Sequence, residues 1–257
     1  MIVCVVFPNI VNLSEIIRML FGGQSPDFST AKYYFLMKSG NWTMGTIIAI
    51  VILFKYIRKS NENYIFCNGN AYHDYSYLWF FFCSKILGYK KCNLVLIPIY
   101  TEFKLVTRGT FKEFHIPENS FPEKSTEIEV IKIVNKKEVG YECNLILEDT
   151  YPVEMDQIPN EKRDIYTLKI KHKNKNDKAR IFSSNFIETV CNTVRNLPDG
   201  IIVNVYATTN PKHNYEIAKQ AFSLGNRGNV KKLNVYQQEK DGKRIFKKKK
   251  TIYRFFD

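Results

Sequence analysis

The chain has 257 residues, with 38 Lys or Arg against 25 Asp or Glu, and its formal net charge is +13. Its 16 Tyr and 19 Phe supply enough large apolar side chains for a packed core, which excludes a broadly disordered chain. The 6 Cys include no CxxC pair, so they argue against a zinc site with closely spaced ligands and predict free thiols in a reducing compartment.

Residues 1–41 are predicted to be a short segment on the non-cytosolic side of a membrane. Residues 1–11 are apolar, but they lack the basic region of a signal peptide and contain Pro8. A weak signal, a re-entrant segment and an ordinary apolar helix or strand are all compatible with this pattern. Residues 15–21 follow a candidate cap, Ser14, and place apolar side chains on one face, which predicts a short amphipathic helix at the membrane surface.

The most apolar stretch, residues 42–57, predicts a membrane-spanning helix. Its uncharged part covers about 20 Å, and extension back through the preceding aromatic residues makes it long enough for the hydrocarbon core. A buried core helix is the alternative, but residues 47–54 are apolar on every face, and a basic flank beginning at Lys55 is typical of the cytosolic end of a span. The predicted anchor residues are Trp42, Ile47, Ile48, Ile50, Val51, Ile52, Leu53 and Phe54.

Residues 58–225 are predicted to form a cytosolic, mostly antiparallel α+β domain. Residues 75–87 are the second most apolar stretch; we favour a buried first element of this domain, and a re-entrant or interfacial helix is the alternative. Asn185 and Asn214 are candidate caps of two helices. β-Branched or alternating residues predict strands at residues 93–100, 126–134, 139–147, 165–170, 178–182 and 201–206.

The sequence predicts no catalytic residue, no metal site and no cofactor, because it contains none of the common nucleotide-binding, metalloprotease or hydrolase motifs. The four histidines are scattered, and Asp149, Glu154 and Asp156 are interpreted as a solvated acidic loop. A membrane-bound enzyme is the least favoured function. It would need a pocket that gathers His73, His115 or these acids.

Residues 226–257 are predicted to be a basic tail that holds well over half of the excess positive charge. Basic and aromatic residues alternate there, which suits RNA or an anionic membrane surface, and a solvated tail is the third possibility. The candidate residues for binding rRNA or other phosphates are Lys243, Arg244, Lys247, Lys248, Lys249 and Lys250.

Several short segments resemble the coiled-coil-domain-containing subunit of the PAT (protein associated with translocon) complex of the endoplasmic reticulum (ER). They are Tyr77-Leu78-Trp79, Cys83-Ser84-Lys85, residues 91–98, Glu127-Ile128-Glu129-Val130, residues 180–186, and Leu197-Pro198-Asp199 before residues 201–206. The acidic luminal region and the long charged C-terminal helix of that family have no counterpart here. The chain would therefore be a reduced, divergent member.

This resemblance implies a non-enzymatic ER membrane protein that docks at the ribosome and translocon and assists the insertion of multipass membrane proteins, as a chaperone does. The tail would contact rRNA, the span would sit in the lipid bilayer, and a small membrane partner subunit would pack on Gly45 and Ala49. No small-molecule substrate is expected. The alternative is a structural or import-associated subunit of an organellar complex in the mitochondrial inner membrane.

Overall fold

A computed structural model describes residues 2–20, 31–117, 120–133, 140–173, 180–223, 228–239 and 242–255; the side chains of residues 14, 17, 20 and 31–38 are not described. The chain divides into two compact units. The first contains Met1–Tyr64 and Phe82–Lys90, and the second contains Ile65–Phe81 and Lys91–Asp257.

Helices and strands are interspersed after an N-terminal helical region. The α-helices are α1 (Ile2–Ile10), α2 (Leu13–Leu20), α3 (Ala31–Ile52), α4 (Arg58–Asn61), α5 (Tyr77–Lys85), α6 (Ile99–Thr107), α7 (Ser184–Arg195) and α8 (Pro211–Ile217). π-Helical turns at Leu53–Ile57 and Ala218–Phe222 extend α3 and α8, and 3₁₀ turns lie at Met155–Gln157 and Asn160–Lys162. The strands are β1 (Ile65–Phe66), β2 (Lys91–Asn93), β3 (Glu113–His115), β4 (Ile128–Lys132), β5 (Glu142–Glu148), β6 (Thr167–His172), β7 (Ile201–Ala207), β8 (Val230–Gln238) and β9 (Phe246–Arg254).

The predicted span falls on a helix of the first unit that continues from α3 through the π-helical turn into α4. Its segment Ser39–Asn61 has a mean hydropathy of 1.4 and is long and apolar enough to cross a membrane, and it is the one such helix among the described residues. Leu53 is buried and Ile52 is half-buried. The other predicted anchor residues are exposed, namely Trp42, Ile47, Ile48, Ile50, Val51 and Phe54.

Helix α1 packs directly on α3 at Gly45. Asn41, Gly45, Ala49 and Leu53 recur every fourth residue and are buried along one face of α3. A Cβ atom at position 45 would lie 2.9 Å from the Cα of Val5 in α1, so the missing side chain is what lets the two backbones approach. Because α1 of the same chain occupies this position, the prediction that Gly45 and Ala49 receive a separate membrane subunit is wrong.

The second unit contains a six-stranded sheet with the order β4-β6-β5-β7-β8-β9 and a smaller sheet with the order β1-β2-β3. Strand β5 is parallel to β6 and to β7, and β7 is parallel to β8; only β4 with β6 and β8 with β9 are antiparallel in the large sheet. Both pairs in the small sheet are parallel. The mixed helix-and-strand composition is thus confirmed, whereas the mostly antiparallel arrangement is wrong. The run Cys143–Leu147, buried throughout, is typical of a strand covered on both faces.

Two local predictions differ from the structure near Pro98 and Pro211. The strand predicted at residues 93–100 is absent: β2 ends at Asn93, and α6 begins at Ile99 directly after Pro98. Helix α8 is capped by Asn210, whose side chain accepts the backbone N–H of His213 at 3.0 Å, instead of by Asn214. An Asn-Pro pair is a strong start signal, since Pro at the first helical position needs no hydrogen-bond acceptor.

The residues predicted as a basic tail form the last two strands of the large sheet. Strand β8 lies between β7 and β9, and Val235, Phe246 and Ile252 are buried. A separate tail is therefore not confirmed, and the predicted boundary at residues 225 and 226 lies outside the described residues. The lysines exposed on β9 lie on an edge strand, where charged side chains oppose pairing with the sheet of another molecule. They supply much of the positive charge of residues 226–257.

Candidate functional site

A cluster of buried polar side chains surrounds Asp149 at the C-terminal ends of the parallel strands. Asp149 directly follows β5, and its Oδ2 accepts from Nδ1 of His213 at 2.8 Å and from Nδ2 of Asn210 at 2.9 Å. Its Oδ1 lies 3.2 Å from Nε2 of His172, the last residue of β6. The backbone N–H of Ser183 donates to Nε2 of His213 at 2.9 Å, which leaves the ring proton of His213 on Nδ1.

This Asp149 cluster is closed to ligands. The side chains of Asp149, His172 and His213 are almost completely buried, and Nδ1 of His172 lies 2.8 Å from the Thr126 hydroxyl. The cluster therefore ties strand ends to the starts of α7 and α8, as a satisfied buried network does. Among the described residues no group of three or more His, Cys, Asp or Glu could hold a metal ion.

The acidic residues predicted as one solvated loop occupy two different environments. Asp149 is buried in the cluster just described, whereas Glu154 and Asp156 are exposed. The six cysteines are free, as expected, and all but Cys4 are buried. Sequence reasoning missed the Asp149 cluster because its histidines stand alone in the sequence and meet only through the sheet.

A second buried carboxyl group, Glu102, lies on α6. Its Oε2 accepts from Nδ2 of Asn214 at 2.8 Å, and the Thr209 hydroxyl contacts the amide oxygen of Asn214. Burial raises the pKa of Glu102 to about 8, and the hydrogen bond from Asn214 opposes part of that rise. Glu102 is therefore a group whose charge changes near neutral pH.

Helix α6 also forms one wall of an open cavity of about 340 Å³, which we call the Tyr100 pocket. It lies entirely within the second unit. Its lining residues are Asp74, Tyr75, Ser76, Tyr77, Tyr100, Thr101, Lys104, Lys248 and Lys250. Three tyrosines, three lysines and a single carboxylate thus share one concave surface.

The lysines of the Tyr100 pocket stand close to its aromatic rings. Nζ of Lys248 lies 5.3 Å and Nζ of Lys250 lies 6.0 Å from the centre of the Tyr100 ring. Nζ of Lys104 lies 4.8 Å from the centre of the Tyr77 ring. These distances are typical of cation–π contacts, which hold the charges and the rings in one arrangement.

Burial, hydrogen bonds and neighbouring charges together set the protonation of the pocket. Burial, followed by the hydrogen bond to Asp74, raises the pKa of Tyr100, whose hydroxyl donates to Oδ1 of Asp74 at 2.8 Å. A hydrogen bond to Tyr100 raises the pKa of Lys248, so its ammonium group persists. Burial, and then the charges of Arg108 and Lys250, lower the pKa of Lys104. The pocket is a positively charged, aromatic cavity at neutral pH.

The structure brings two of the six predicted phosphate-binding residues into this pocket. On β9, Lys248 and Lys250 point to Tyr100, whereas Nζ of Lys247 pairs with Glu239 at 3.0 Å. Lys249 pairs with Tyr236 of β8. Burial raises the pKa of Glu142, but hydrogen bonds from Lys162 and Asn204 and the charges of Lys162 and Lys249 outweigh that rise, so its pKa is lowered. Alternation places Lys248 and Lys250 on one face of β9 and Lys249 on the other, and Lys247 lies at an irregularity in the pairing of β9 with β8.

The remaining two predicted residues lie in the turn before β9. The guanidinium of Arg244 stands 4.7 Å from the centre of the Tyr151 ring, and Lys243 is exposed with its backbone carbonyl accepting from Gln157. Neither lines the Tyr100 pocket. Sequence reasoning missed Asp74, Tyr100 and Lys104, which carry no motif.

The sequence model of the SUa-2TM family, described as "SMODS- and Ubiquitin system-associated 2TM effector domain", matches residues 1–253 of the chain. Among curated proteins, none matches. The family match runs through both compact units, from the N-terminal helices to the last strand of the large sheet.

Two solved structures that are similar to part of this chain are those of an Acinetobacter baumannii Cap4 SAVED/CARF-domain containing receptor. One, with the cyclic trinucleotide 2'3'3'-cAAA, gives a TM-score of 0.41 at 9% identity and covers 62% of this chain and 38% of that chain. The other, with 3'3'3'-cAAA, gives 0.39 at 10% identity and covers 62% and 39%. The chain thus spans less than two thirds of either receptor, and likeness of this extent identifies no ligand for it.

The family match contradicts the resemblance to the PAT complex subunit, which depended on short separate segments. The predicted role in inserting multipass membrane proteins is therefore wrong, as are the ER and mitochondrial locations. The predicted ribosome, rRNA and translocon partners are also wrong, because they followed from that resemblance. What stays a prediction is that Lys243, Arg244 and the four lysines of β9 bind phosphate groups.

Proposed function

The chain belongs to the family of SMODS- and Ubiquitin system-associated 2TM effector domains, and from this premise we propose that it is a membrane-anchored bacterial effector that binds a nucleotide-type ligand. The ligand carries phosphate groups and an aromatic base, and it occupies the Tyr100 pocket. The segment Ser39–Asn61, with α1 packed on it, anchors the protein in the membrane.

The observation that carries the ligand proposal is the grouping of Lys104, Lys248 and Lys250 around the rings of Tyr77 and Tyr100. Ammonium groups pair with phosphate oxygens, and tyrosine rings stack on bases. A volume of about 340 Å³ lies within the range of roughly 300 to 1,000 Å³ that is usual for small-molecule sites.

We propose that the second unit acts by binding and without catalysis. Its most connected titratable groups, Asp149, His172 and His213, are buried and bonded to one another, so they could not meet a substrate. The lysines of the Tyr100 pocket offer positive charge and hydrogen-bond donors, which suit the binding of phosphate groups.

The anchor proposal agrees with the surface of the first unit. Ile47, Val51 and Phe54 project exposed apolar side chains from α3 and the π-helical turn, where lipid would cover them. Lys55 and Lys59 follow at once, and both are exposed. Such a basic flank favours a cytosolic location for the C-terminal end of the helix.

The test is a binding titration of the full chain in nanodiscs with nucleoside triphosphates, cyclic dinucleotides and cyclic trinucleotides. A double variant, Lys248→Ala with Lys250→Ala, should weaken binding at least about tenfold, because each charge-assisted hydrogen bond contributes about 1.5 to 3 kcal/mol. The matched control is Lys247→Ala with Lys249→Ala, which removes the same charge from residues of β9 that do not line the Tyr100 pocket and should leave binding unchanged.

Two results would contradict the proposal. An equal loss in both double variants would mean that the ligand responds to net charge and not to the pocket. Failure of all three nucleotide classes to bind the wild-type chain would exclude a nucleotide-type ligand.

A further inference from the structure

Helix α5 turns most of its apolar side chains outward. Phe80 and Cys83 are buried, whereas Leu78 is 75% exposed and Trp79 is 45% exposed. A surface helix of a globular domain normally carries polar residues on its outer face, and an exposed apolar patch marks a contact with a membrane or a protein. The other exposed apolar residues of this segment are Phe81, Phe82 and Ile86.

The C-terminal end of α5 is held against the end of the membrane helix. Nη1 of Arg58 donates to the carbonyl oxygens of Lys85 at 2.5 Å and of Ile86 at 3.3 Å. Nδ2 of Asn61 donates to the carbonyl oxygen of Leu87 at 2.9 Å. All five residues belong to the first unit, so the end of α5 lies at the level where the membrane helix ends.

A tight turn at Gly88, after α5, lets the chain pass close to Arg58. Gly88 has a φ of +84°, and a Cβ atom there would lie 2.9 Å from the Cβ of Arg58. Lys90 forms an ion pair with Glu62, just beyond α4. Any side chain at position 88 would both strain the backbone and push the turn away from Arg58.

We propose that α5 is an interfacial membrane helix, with its outward face in the headgroup region of the bilayer that the helix Ser39–Asn61 crosses. A lipid surface fits this face better than a protein does, because the end of the membrane helix is where that surface lies. Trp, Phe and Leu side chains favour this depth. Lys55, Lys59 and Lys85 are exposed nearby and suit anionic headgroups. The inference is independent of any ligand in the Tyr100 pocket.

The two tryptophans of the chain, Trp42 and Trp79, make a direct test possible. In the variant Trp42→Phe, all tryptophan fluorescence comes from Trp79. The full chain is placed in nanodiscs of phosphatidylcholine and phosphatidylglycerol that contain a lipid with a spin label near the headgroup or near the end of the acyl chain. The expected result is loss of most Trp79 emission with the headgroup-proximal label, a smaller loss with the terminal label, and little quenching by aqueous iodide.

Strong iodide quenching without quenching by either lipid label would overturn the proposal. Stronger quenching by the terminal label would also overturn it, because Trp79 would then lie in the hydrocarbon core. A second variant adds Leu78→Glu to Trp42→Phe and should reduce quenching by the headgroup label. Its matched control, Val130→Glu, places the same charge on an exposed apolar residue of β4 and should leave the quenching unchanged.

Discussion

The Asp149 cluster and the Tyr100 pocket are built from the same kinds of group, but only the pocket is open to a ligand. Asp149 is enclosed by donors from His172, His213 and Asn210, and all four side chains are buried. In the Tyr100 pocket, Lys248 and Lys250 are exposed. A charge that the fold surrounds with partners stabilises the fold, and a charge on an open wall can bind something else.

The difference comes from the strands that carry the two groups. The Asp149 cluster forms where β5, β6 and β7 end in the interior of the sheet, so the loops and helices around it close over the polar atoms. The pocket uses β9, an edge strand, together with α6. An edge strand has no further strand beside it, which leaves its side chains accessible on one flank.

The largest expected loss of stability follows from a substitution in the Asp149 cluster. Replacing Asp149 by Asn removes the buried charge and turns an amide donor toward groups that already donate, so we expect a loss of about 3 kcal/mol in the free energy of unfolding. Chemical or thermal unfolding of the full chain in detergent measures it. Asp156→Asn, at an exposed position of the same loop, should change stability by less than about 0.5 kcal/mol. Equal effects of the two substitutions would mean that the cluster is not structural.

Glu102 lies on the same helix as Tyr100, and its contribution to the free energy of unfolding should depend on pH. At pH values below the ordinary carboxyl pKa of 4.5, Glu102 is protonated in both the folded and the unfolded chain. As pH rises to about 8, the unfolded chain loses this proton while the folded chain keeps it, so stability falls by about 1.4 kcal/mol per pH unit. At higher pH the loss is complete.

The variant Glu102→Gln keeps an acceptor for Asn214 and has no charge to bury. Its advantage in unfolding free energy over the wild type should therefore grow between pH 5 and pH 8 at roughly that rate and then level off. Glu113→Gln, at an exposed position on β3, is the control and should follow the wild type. Parallel pH profiles for Glu102→Gln and the wild type would show that Glu102 is ionised in the folded protein.

The smallest expected effect on stability is that of Lys248→Ala. Nζ of Lys248 lies 3.4 Å from Oδ2 of Asp74, and both side chains are about half exposed, so their pairing contributes less than about 0.5 kcal/mol. The same variant should weaken ligand binding measurably. A large loss of stability without a loss of binding would mean that Lys248 has a structural role, like the residues of the Asp149 cluster, and does not bind the ligand.

The apolar composition of residues 75–87 predicted an ordered element but not which of its faces is exposed. The apolar run was predicted to be a buried first element, and a helix does form there as α5. Its outward apolar face could not be predicted, because the hydrogen bonds of Arg58 and Asn61 that set its position come from an earlier part of the chain. The interfacial alternative agrees better with the exposed Leu78.

Local periodicity was enough to determine the long apolar helix at residues 42–57, strands β4 to β7 to within a few residues, and the apolar face of α7. Each of these depends on neighbours within a few residues, which the sequence displays directly. Strand direction depended on pairing between distant segments, and so did the placement of residues 230–254 inside the sheet.

The candidate site was the least predictable part of the protein. The lysine run predicted anion binding. Only the packing of β9 beside α6 shows that Lys248 and Lys250 are the lysines of this run that lie next to Tyr100. Asp74, Tyr100 and Lys104 joined them because folding brought α6 beside the last strand. The amino-acid sequence by itself determined which segments are helical, extended or apolar, because those properties are local. The tertiary structure decided which charges are buried and which share a pocket, because both depend on segments that are far apart along the chain.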